Sequence, residues 1–334
     1  GKWRWYNGSS WVDVGTSVST SSALLLSSST LLRFEPGANF SGTPGSLTVR
    51  LVDDSSGAVT SGSVVNLTSS GGTTRYSDAS NAVTPGTSIT AVNDAPNLGS
   101  ATLAALNEDT TNPAGQTVTA IFTGQFSDPD VGASLAGIAV VGNTANALTQ
   151  GTWQYSANSG TNWYAIGTVT DGATALALSS GTMIRFAPVA DYNVAPLALT
   201  VRGLDHTYAG GFSSTAGSET RINVNTTTYG GTTAIAGAMA TLSTSIAAVN
   251  DPPVNTAPSG QYTPFNTALV FSAANGNQIS IADADAAASP VQVTLTVGNG
   301  TLTLAGTAGL TITGGANGSA TMTFTGSAAS INTA

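Results

Sequence analysis

The stretch Ala91-Val92-Asn93-Asp94-Ala95-Pro96 returns later in the chain as Ala248-Val249-Asn250-Asp251-Pro252-Pro253. The two copies lie 157 residues apart, counted from Asp94 to Asp251. A period of this length is that of one whole domain per repeat. Each copy carries side-chain oxygens and is closed by proline, which limits backbone flexibility. The sequence therefore predicts large tandem repeats joined by acidic linkers.

Other segments repeat in the same order. Leu32-Arg33-Phe34-Glu35-Pro36 matches Ile184-Arg185-Phe186-Ala187-Pro188, and Leu47-Thr48-Val49-Arg50 matches Leu199-Thr200-Val201-Arg202, both at an offset of 152 residues. The offset drifts by only a few residues along the chain, as loop insertions would produce. We therefore assign residues 1–94 to the later part of one repeat, 95–251 to a complete repeat, and 252–334 to the front part of a third, variant repeat.

Strand-forming patterns dominate the chain. Val291, Val293, Leu295 and Val297 alternate with polar residues, as expected for a strand with one buried face. Glu and Lys are nearly absent, so long amphipathic helices are not expected, although Ser327–Ala334 is predicted to begin a short helix. The predicted fold is all-β, with tandem antiparallel β-sandwich domains of the cadherin-like or Ig-like kind arranged in a rod. The predicted strands are Ser46–Val52, Thr117–Phe122, Ile138–Val141, Thr182–Phe186, Ala198–Gly203, Val291–Val297 and Thr321–Thr325.

Composition excludes several classes of function. The chain has no cysteine and one histidine, which disfavours disulfides and zinc sites. Its net charge of −9 argues against binding to nucleic acid, because phosphate contacts need Lys and Arg. It has no apolar run long enough to span a membrane. The single histidine, His206, has no second histidine or nucleophile elbow to work with, so it is predicted to be a surface loop residue.

The acidic residues are grouped. Of the 17 Asp and Glu residues, the following lie at repeat joints or in short clusters: Asp53, Asp54, Asp94, Glu108, Asp109, Asp128, Asp130, Asp205, Asp251, Asp283 and Asp285. Ordinary solvated turns are one explanation, since Asp favours turns. Calcium is the other, because it binds six to eight oxygen ligands. The Asp-x-Asp pairs at 128–130 and 283–285 place two carboxylates within reach of one ion, which favours calcium.

Four motifs resemble those of a known family: Asn107-Glu108-Asp109-Thr110, Ser127-Asp128-Pro129-Asp130, Val201-Arg202-Gly203-Leu204-Asp205 and Ala248–Pro253. In this order and spacing they resemble the cadherin-like and VCBS-type repeats of giant bacterial surface adhesins. The variant segment from Asn255 to Asp285 resembles another repeat type of the same proteins. The resemblance implies extracellular stalks at the bacterial surface with calcium bound at the domain joints.

The resemblance also implies two sets of metal ligands. The first joint would use Asn93 and Asp94 from the linker with Asp128, Asp130 and Asp205. The second would use Glu108, the linker residues Asn250 and Asp251, and the pair Asp283 and Asp285. A competing arrangement has Glu108 and Asp128 meeting within one domain. In the third repeat Phe265-Asn266 replaces the Glu-Asp pair, which removes a carboxylate from any later joint.

Two aromatic groups suggest a sugar-binding surface as an alternative: Trp3-Arg4-Trp5-Tyr6 with Trp11, and Trp153-Gln154-Tyr155 with Trp163-Tyr164. Trp153 and Tyr155 share one face of a predicted strand, and Trp163-Tyr164 follows a hairpin-like loop. Cross-strand packing explains the same pattern without a ligand, and we expect packing.

Three functions are consistent with the sequence. The first is a non-catalytic structural segment of a secreted, repetitive bacterial surface protein with calcium-stiffened joints, acting in adhesion or matrix building. The second is a subunit of an extracellular filament or sheath, assembled head to tail by strand or domain complementation between neighbouring subunits. The third is a carbohydrate-binding accessory region of a secreted hydrolase, with cell-surface or matrix glycans as partners.

Overall fold

Strands account for nearly all regular structure in the computed structural model, which describes residues 1–286 and 288–334. The two α-helices among them are short, α1 at Val118–Ile121 and α2 at Ala328–Thr333, and single 3-10 turns lie at Ala79–Asn81 and Ala273–Asn275. The all-β prediction is confirmed. Among the described residues, no helix has the length and apolar character needed to cross a membrane.

Residues 1–94 contain two small antiparallel sheets. β1 is flanked by β2 and β4 in one sheet, and β3 pairs with β5 in the other. Arg4 lies opposite Asp13 on β2 and opposite Arg33 on β4. The strands are β1 (Lys2–Tyr6), β2 (Trp11–Asp13), β3 (Ala23–Leu24), β4 (Leu32–Glu35) and β5 (Val64–Val65).

Residues 95–251 form the largest folded unit. A six-stranded sheet has the order β17-β14-β11-β16-β18-β7, and a four-stranded sheet has the order β13-β12-β15-β9. All their pairings are antiparallel except β18 with β7. The strands are β6 (Asn97–Leu98), β7 (Ala101–Thr102), β8 (Leu106–Asn107), β9 (Gln116–Thr117), β10 (Phe126–Ser127), β11 (Leu135–Asn143), β12 (Gly151–Ser156), β13 (Tyr164–Ala165), β14 (Ala175–Ser179), β15 (Met183–Pro188), β16 (Leu199–Asp205), β17 (Asn223–Val224), β18 (Ala240–Ser243) and β19 (Ile246–Ala247).

The main hydrophobic core draws side chains from both of these sheets. Val140 and Leu199 of the six-stranded sheet and Trp153 and Phe186 of the four-stranded sheet belong to one buried cluster. Successive strand residues point to opposite faces, so Ala139 and its neighbours form a second cluster on the other side of β11. Because both faces of β11 are buried, its sequence is a continuous apolar run.

The described residues of the range 252–334 form two further sheets, β20 with β21 and the three-stranded sheet β22-β24-β23. Val291, Val293 and Leu295 share one face of β22, as their alternation predicts. Helix α2 begins after Ser327, whose hydroxyl accepts a hydrogen bond from the Ser330 N–H and caps the helix. The strands are β20 (Val254–Thr256), β21 (Ser280–Ala282), β22 (Val291–Thr296), β23 (Leu310–Gly315) and β24 (Thr321–Gly326).

Two of the predicted strands are wrong. Thr117–Phe122 contains only the end of β9, because the Thr117 hydroxyl accepts a hydrogen bond from the Ala120 N–H at 3.2 Å and starts helix α1. Ser46–Val52 makes isolated bridges instead of a strand, through Val49 with Val83 and Val52 with Tyr76.

Equivalent residues of the first and second repeats make equivalent hydrogen bonds. The indole N–H of Trp3 donates to the Gly45 carbonyl at 2.7 Å, and that of Trp153 donates to the Leu197 carbonyl at 2.9 Å. The acceptors are 152 residues apart, the offset found in the sequence. Leu32 lies opposite Trp5 as Ile184 lies opposite Tyr155. The first and second repeats therefore share local packing as well as sequence.

Candidate metal centre at the linkers

The two acidic linkers adopt the same hydrogen-bonded arrangement. At the first, the Asp94 N–H donates to an Asp130 carboxylate oxygen at 2.8 Å, and the Asp130 N–H donates to Asp128 at 2.8 Å. At the second, the Asp251 N–H donates to Asp285, whose own N–H donates to Asp283 at 3.0 Å. Each linker backbone is therefore held by the Asp-x-Asp loop that follows it.

At the first linker, the predicted ligands are close but do not converge on one point. The Asn93 amide donates to Asp205 at 3.2 Å and to the Thr233 carbonyl at 3.1 Å. Asp205 is fully buried and its other carboxylate oxygen accepts the Thr207 N–H at 2.7 Å. One carboxylate oxygen of Asp128 is buried with no partner. Among the described residues, no three carboxylates come within 4.8 Å of one another at this linker.

At the second linker, three predicted ligands do converge. Oxygens of Glu108, Asp251 and Asp285 lie within 4.8 Å of one another. Glu108 lies just after β8 and is only 2% exposed. Its Oε1 accepts the Val249 N–H at 2.7 Å, but its Oε2 is buried and has no hydrogen-bond partner. Glu108 thus contacts the second linker, whereas Asp128 accepts a hydrogen bond from Asp130 within the loop at the first linker. The competing arrangement, in which Glu108 and Asp128 meet within one domain, is not observed.

The other two predicted ligands of the second site, Asp283 and Asn250, lie outside the group of converging carboxylates. Asp283 holds the loop in shape, since its Oδ1 accepts the N–H groups of Asp285 and Ala286 at 3.0 and 2.9 Å. The exposed Asn250 donates its amide to the Asp251 carbonyl at 3.1 Å.

A second carboxylate group adjoins the first and contains residues that our ligand prediction missed. Asp109, Asp191 and Asp251 also lie within 4.8 Å of one another, and Asp251 belongs to both groups. The Asp191 N–H donates to Asp109 at 3.1 Å. Asp191 is isolated in the sequence, so no local pattern marks it. The repeat offset aligns Asp191 with Asn39, and both residues have a φ of 56°, so the same left-handed turn recurs at this position.

Electrostatics at this site are unfavourable without a cation. Burial raises the pKa of Asp251, and the nearby charges of Asp109, Asp191, Asp285 and Glu108 raise it further. Within the part of the chain that the structure describes, none of these five carboxylates forms a salt bridge. A buried, unpartnered carboxylate is costly unless it is paired or binds a metal. An oxygen-only set of this kind fits a hard cation such as Ca²⁺.

The third segment keeps the turn of this site but loses its charges. Asn266 has a φ of 58°, close to the 62° of its counterpart Asp109. Phe265, which stands at the position equivalent to Glu108, is 92% exposed. Residues 265–266 therefore offer no carboxylate to a cation.

Trp153 and Tyr155 of the middle repeat pack in the core, as expected, whereas Trp163 and Tyr164 are half-buried. Trp153 and Tyr155 are fully buried, and Trp153 meets Phe186 edge to face with ring centroids 5.2 Å apart. Burial, with a hydrogen bond to Glu219 of 2.6 Å, raises the pKa of Tyr155. The Arg185 guanidinium stacks on Trp163 at 4.1 Å. Trp153 and Tyr155 therefore present no face to a sugar. His206 is exposed in a turn, as predicted.

Comparisons with protein-family models, with curated proteins and with solved structures found no match to this chain.

Proposed function

We propose that this chain is a non-catalytic structural segment of a secreted, repetitive bacterial surface protein, and that calcium binds at its linkers and stiffens them. The observation that carries the proposal is Glu108, whose Oε2 is buried without a partner and whose carboxylate has an oxygen within 4.8 Å of those of Asp251 and Asp285. A bound cation would supply the missing partner.

The proposed architecture is a row of β-sandwich domains. The shared core between the six-stranded and four-stranded sheets of residues 95–251 supports a sandwich. The recurrence of the Trp3 and Trp153 hydrogen bonds supports a second domain of the same kind. Linker bonds from Asp94 and Asp251 to the next Asp-x-Asp loop support domains joined in series.

Calcium would stiffen the second linker by joining groups from three parts of the chain. Glu108 comes from the end of β8, Asp251 from the linker and Asp285 from the loop after β21. Without a cation, repulsion between the like charges opposes this arrangement. With a cation, the same oxygens become shared ligands, and the prolines after Asp251 limit the remaining freedom.

An extracellular location suits such a site. Calcium-binding modules that work outside cells have dissociation constants of roughly 10⁻⁴ to 10⁻³ M. Asp109 and Asp191 would offer a second cation two further carboxylates, and Asp251 would be shared between the two cations. The adhesin-like role rests on the family resemblance of the sequence motifs together with this site.

Calorimetric titration of the chain with CaCl₂ tests the proposal, with small-angle scattering for the maximum dimension. We expect saturable binding and a more extended particle in calcium than in chelator. Asp283→Ala with Asp285→Ala should weaken binding and remove the change in dimension. The matched control is Asp53→Ala with Asp54→Ala, which alters exposed acids elsewhere. Equal calcium affinity in all three proteins would show that the linker carboxylates are ordinary turn residues.

A further inference from the structure

Two strand pairings in the middle repeat join the start of the repeat to its end. β7 lies beside β18, with Ala101 opposite Leu242, and β8 lies beside β19, with Leu106 opposite Ile246. They are the only parallel pairings among the strands that the structure describes. In a parallel pair, the start of one strand and the end of the other lie at opposite ends of the pair. The chain therefore enters the repeat at one end of this pairing and leaves it at the other.

Tension along the chain would load this pairing in shear. Residues 1–94 precede the repeat and residues 252–334 follow it, so a pull on both draws β7 and β8 one way and β18 and β19 the other way. The hydrogen bonds cross from strand to strand, so sliding the strands past each other strains these bonds together. If the strands were peeled apart from one end, the bonds would break one after another, which needs less force.

The main-chain hydrogen bonds of this pairing extend as far as the second linker. Three N–H groups of the first segment donate to carbonyls of the last segment at 2.8, 3.1 and 3.0 Å, those of Leu103, Leu106 and Glu108 to those of Ser243, Ser245 and Ala247. The Val249 N–H then donates to Glu108 Oε1 at 2.7 Å. The pairing therefore ends where the chain passes into the next repeat.

Buried side chains anchor both sides of the pairing in the core. Leu103 is 4% exposed and Ile246 is 6% exposed, and both belong to the main hydrophobic cluster together with the fully buried Leu242. Between β7 and β8, the Thr244 hydroxyl donates to the Ala104 carbonyl at 3.3 Å. Sliding either segment would therefore expose apolar side chains to water as well as break hydrogen bonds.

We propose that residues 101–108 and 241–249 form the force-bearing pair of this repeat, which resists extension of the chain by shear. The proposal rests on the proposed structural role, because only a chain under tension uses such a pair. It does not require calcium, because the hydrogen bonds that join the two segments are made by the protein itself. Glu108 connects the force-bearing pair to the proposed metal site, since it bonds to Ala247 and belongs to the carboxylate group at the second linker.

Single-molecule force spectroscopy tests the proposal by changing only the direction of the pull. The natural chain has no cysteine, so two introduced cysteines fix the points of attachment. Asn97→Cys with Val254→Cys pulls the force-bearing pair in shear. Asn97→Cys with Met239→Cys pulls β7 away from the near end of β18 and peels the same pair. All three positions are exposed, and both proteins keep every residue of the force-bearing pair.

We expect the repeat to unfold in each protein with a contour-length gain of roughly 500 Å, because about 150 residues extend by about 3.3–3.6 Å each. The rupture force in shear should be about threefold the force in peeling, because the three main-chain bonds share the load in shear and break singly in peeling. Both measurements are made in chelator, so calcium does not contribute. Forced unfolding follows the unfolding rate and not the equilibrium stability, so the difference in force should appear even though the two proteins have the same Tm.

A proline variant locates the resistance within the pair. The Ala247 carbonyl accepts the Glu108 N–H, so the Ala247 N–H also faces β8, and Ala247→Pro removes it. This exposed substitution should lower the rupture force in shear by about a third. Ala157→Pro is the matched control, because it removes one N–H bond to Thr215 outside the force-bearing pair. Its rupture force should match that of the natural sequence.

Equal rupture forces in the two pulling directions would overturn the proposal, whether or not Ala247→Pro folds. An absence of calcium binding in calorimetry would count against the proposed metal site alone, because the comparison of directions is made in chelator.

Discussion

Replacing Glu108 by Gln should stabilise the calcium-free protein and reduce the stabilisation that calcium provides. Gln has the same shape as Glu, and its Oε1 can still accept the Val249 N–H that Glu108 accepts at 2.7 Å. The change removes the charge and the unpartnered Oε2. It therefore isolates the electrostatic role of this oxygen from its packing.

The change in stability that Glu108→Gln causes without calcium follows from the distances between the carboxylate oxygens. Oxygens of Glu108 and Asp285 lie within 4.8 Å of each other. Two unit charges at that separation repel by about 1 kcal/mol in a water-like medium and about 3 kcal/mol at an effective dielectric constant of about 20. Removing one charge relieves this repulsion. In chelator, the Glu108→Gln protein should be more stable than the natural chain by about 1 kcal/mol or more.

The stabilisation that calcium provides follows from mass action, because calcium is expected to bind the folded state only. Calcium at about 100 times its dissociation constant stabilises the folded state by about 2.7 kcal/mol. Loss of a charged ligand that weakens binding about 100-fold leaves about 0.4 kcal/mol of this effect. For a domain of 150 to 250 residues, the calcium-induced rise in Tm should shrink by roughly 5 to 9 °C.

The assay is thermal unfolding of the natural and Glu108→Gln chains in chelator and in about 10 mM calcium, roughly 10 to 100 times the expected dissociation constant. Glu35→Gln is the matched control, because Glu35 is half-exposed and pairs with Arg4 and Arg33 away from the linkers. Its Tm should respond to calcium as the natural chain does. If Glu108→Gln retained the full rise in Tm, Glu108 would not be a ligand.

Three other changes test separate parts of the structure. Asp191→Asn should lower the number of calcium ions bound per chain in calorimetry while leaving the group at Glu108 able to bind, and an unchanged stoichiometry would exclude the second group. Asp251→Asn should stabilise the calcium-free chain at pH 7, because the raised pKa of Asp251 means that its ionised form is disfavoured in the folded state. That gain in Tm should vanish as the pH falls below the usual value of 3.8, where the carboxyl is protonated in both folded and unfolded chains. A gain independent of pH would contradict this reasoning. Arg202→Ala should lower the free energy of unfolding in urea by about 3 kcal/mol, because Arg202 is only 2% exposed and pairs with Asp171 at 2.8 Å. A loss below about 1 kcal/mol, the range of surface ion pairs, would show that this pair is not structurally important.

Local sequence patterns predicted strands well where one rule acted alone. The alternation at Val291–Val297 became β22, and the apolar run at Ile138–Val141 became part of β11. The pattern failed at Thr117–Phe122, where β-branched residues favour a strand but a capping hydroxyl at Thr117 stabilises the first turn of a helix. Burial of Val118 and Ile121 on one side of that turn then supports it. A helical spacing of apolar residues over one turn is too short to be recognised in the sequence.

Only those residues of the candidate site that belong to local sequence motifs were predictable. Glu108, Asp251 and Asp285 belong to repeated or paired acidic motifs, so their residue types and spacing mark them. Asp191 has no acidic neighbour in the chain, yet its backbone N–H bonds to Asp109 across 82 residues. Contacts of that kind depend on how β15 and the loop after it fold back, which no local pattern encodes.

The sequence by itself determined the all-β class, the offset of the repeat and the clustering of acidic residues, because these depend on composition and periodicity. The tertiary structure decided which carboxylates share a site. Only folding brings the end of β8, the second linker and the loop after β21 together, and only folding buries Glu108 Oε2 without a partner. The physical reason is that a carboxylate in water has many partners, whereas one enclosed by the fold has only those that the fold provides.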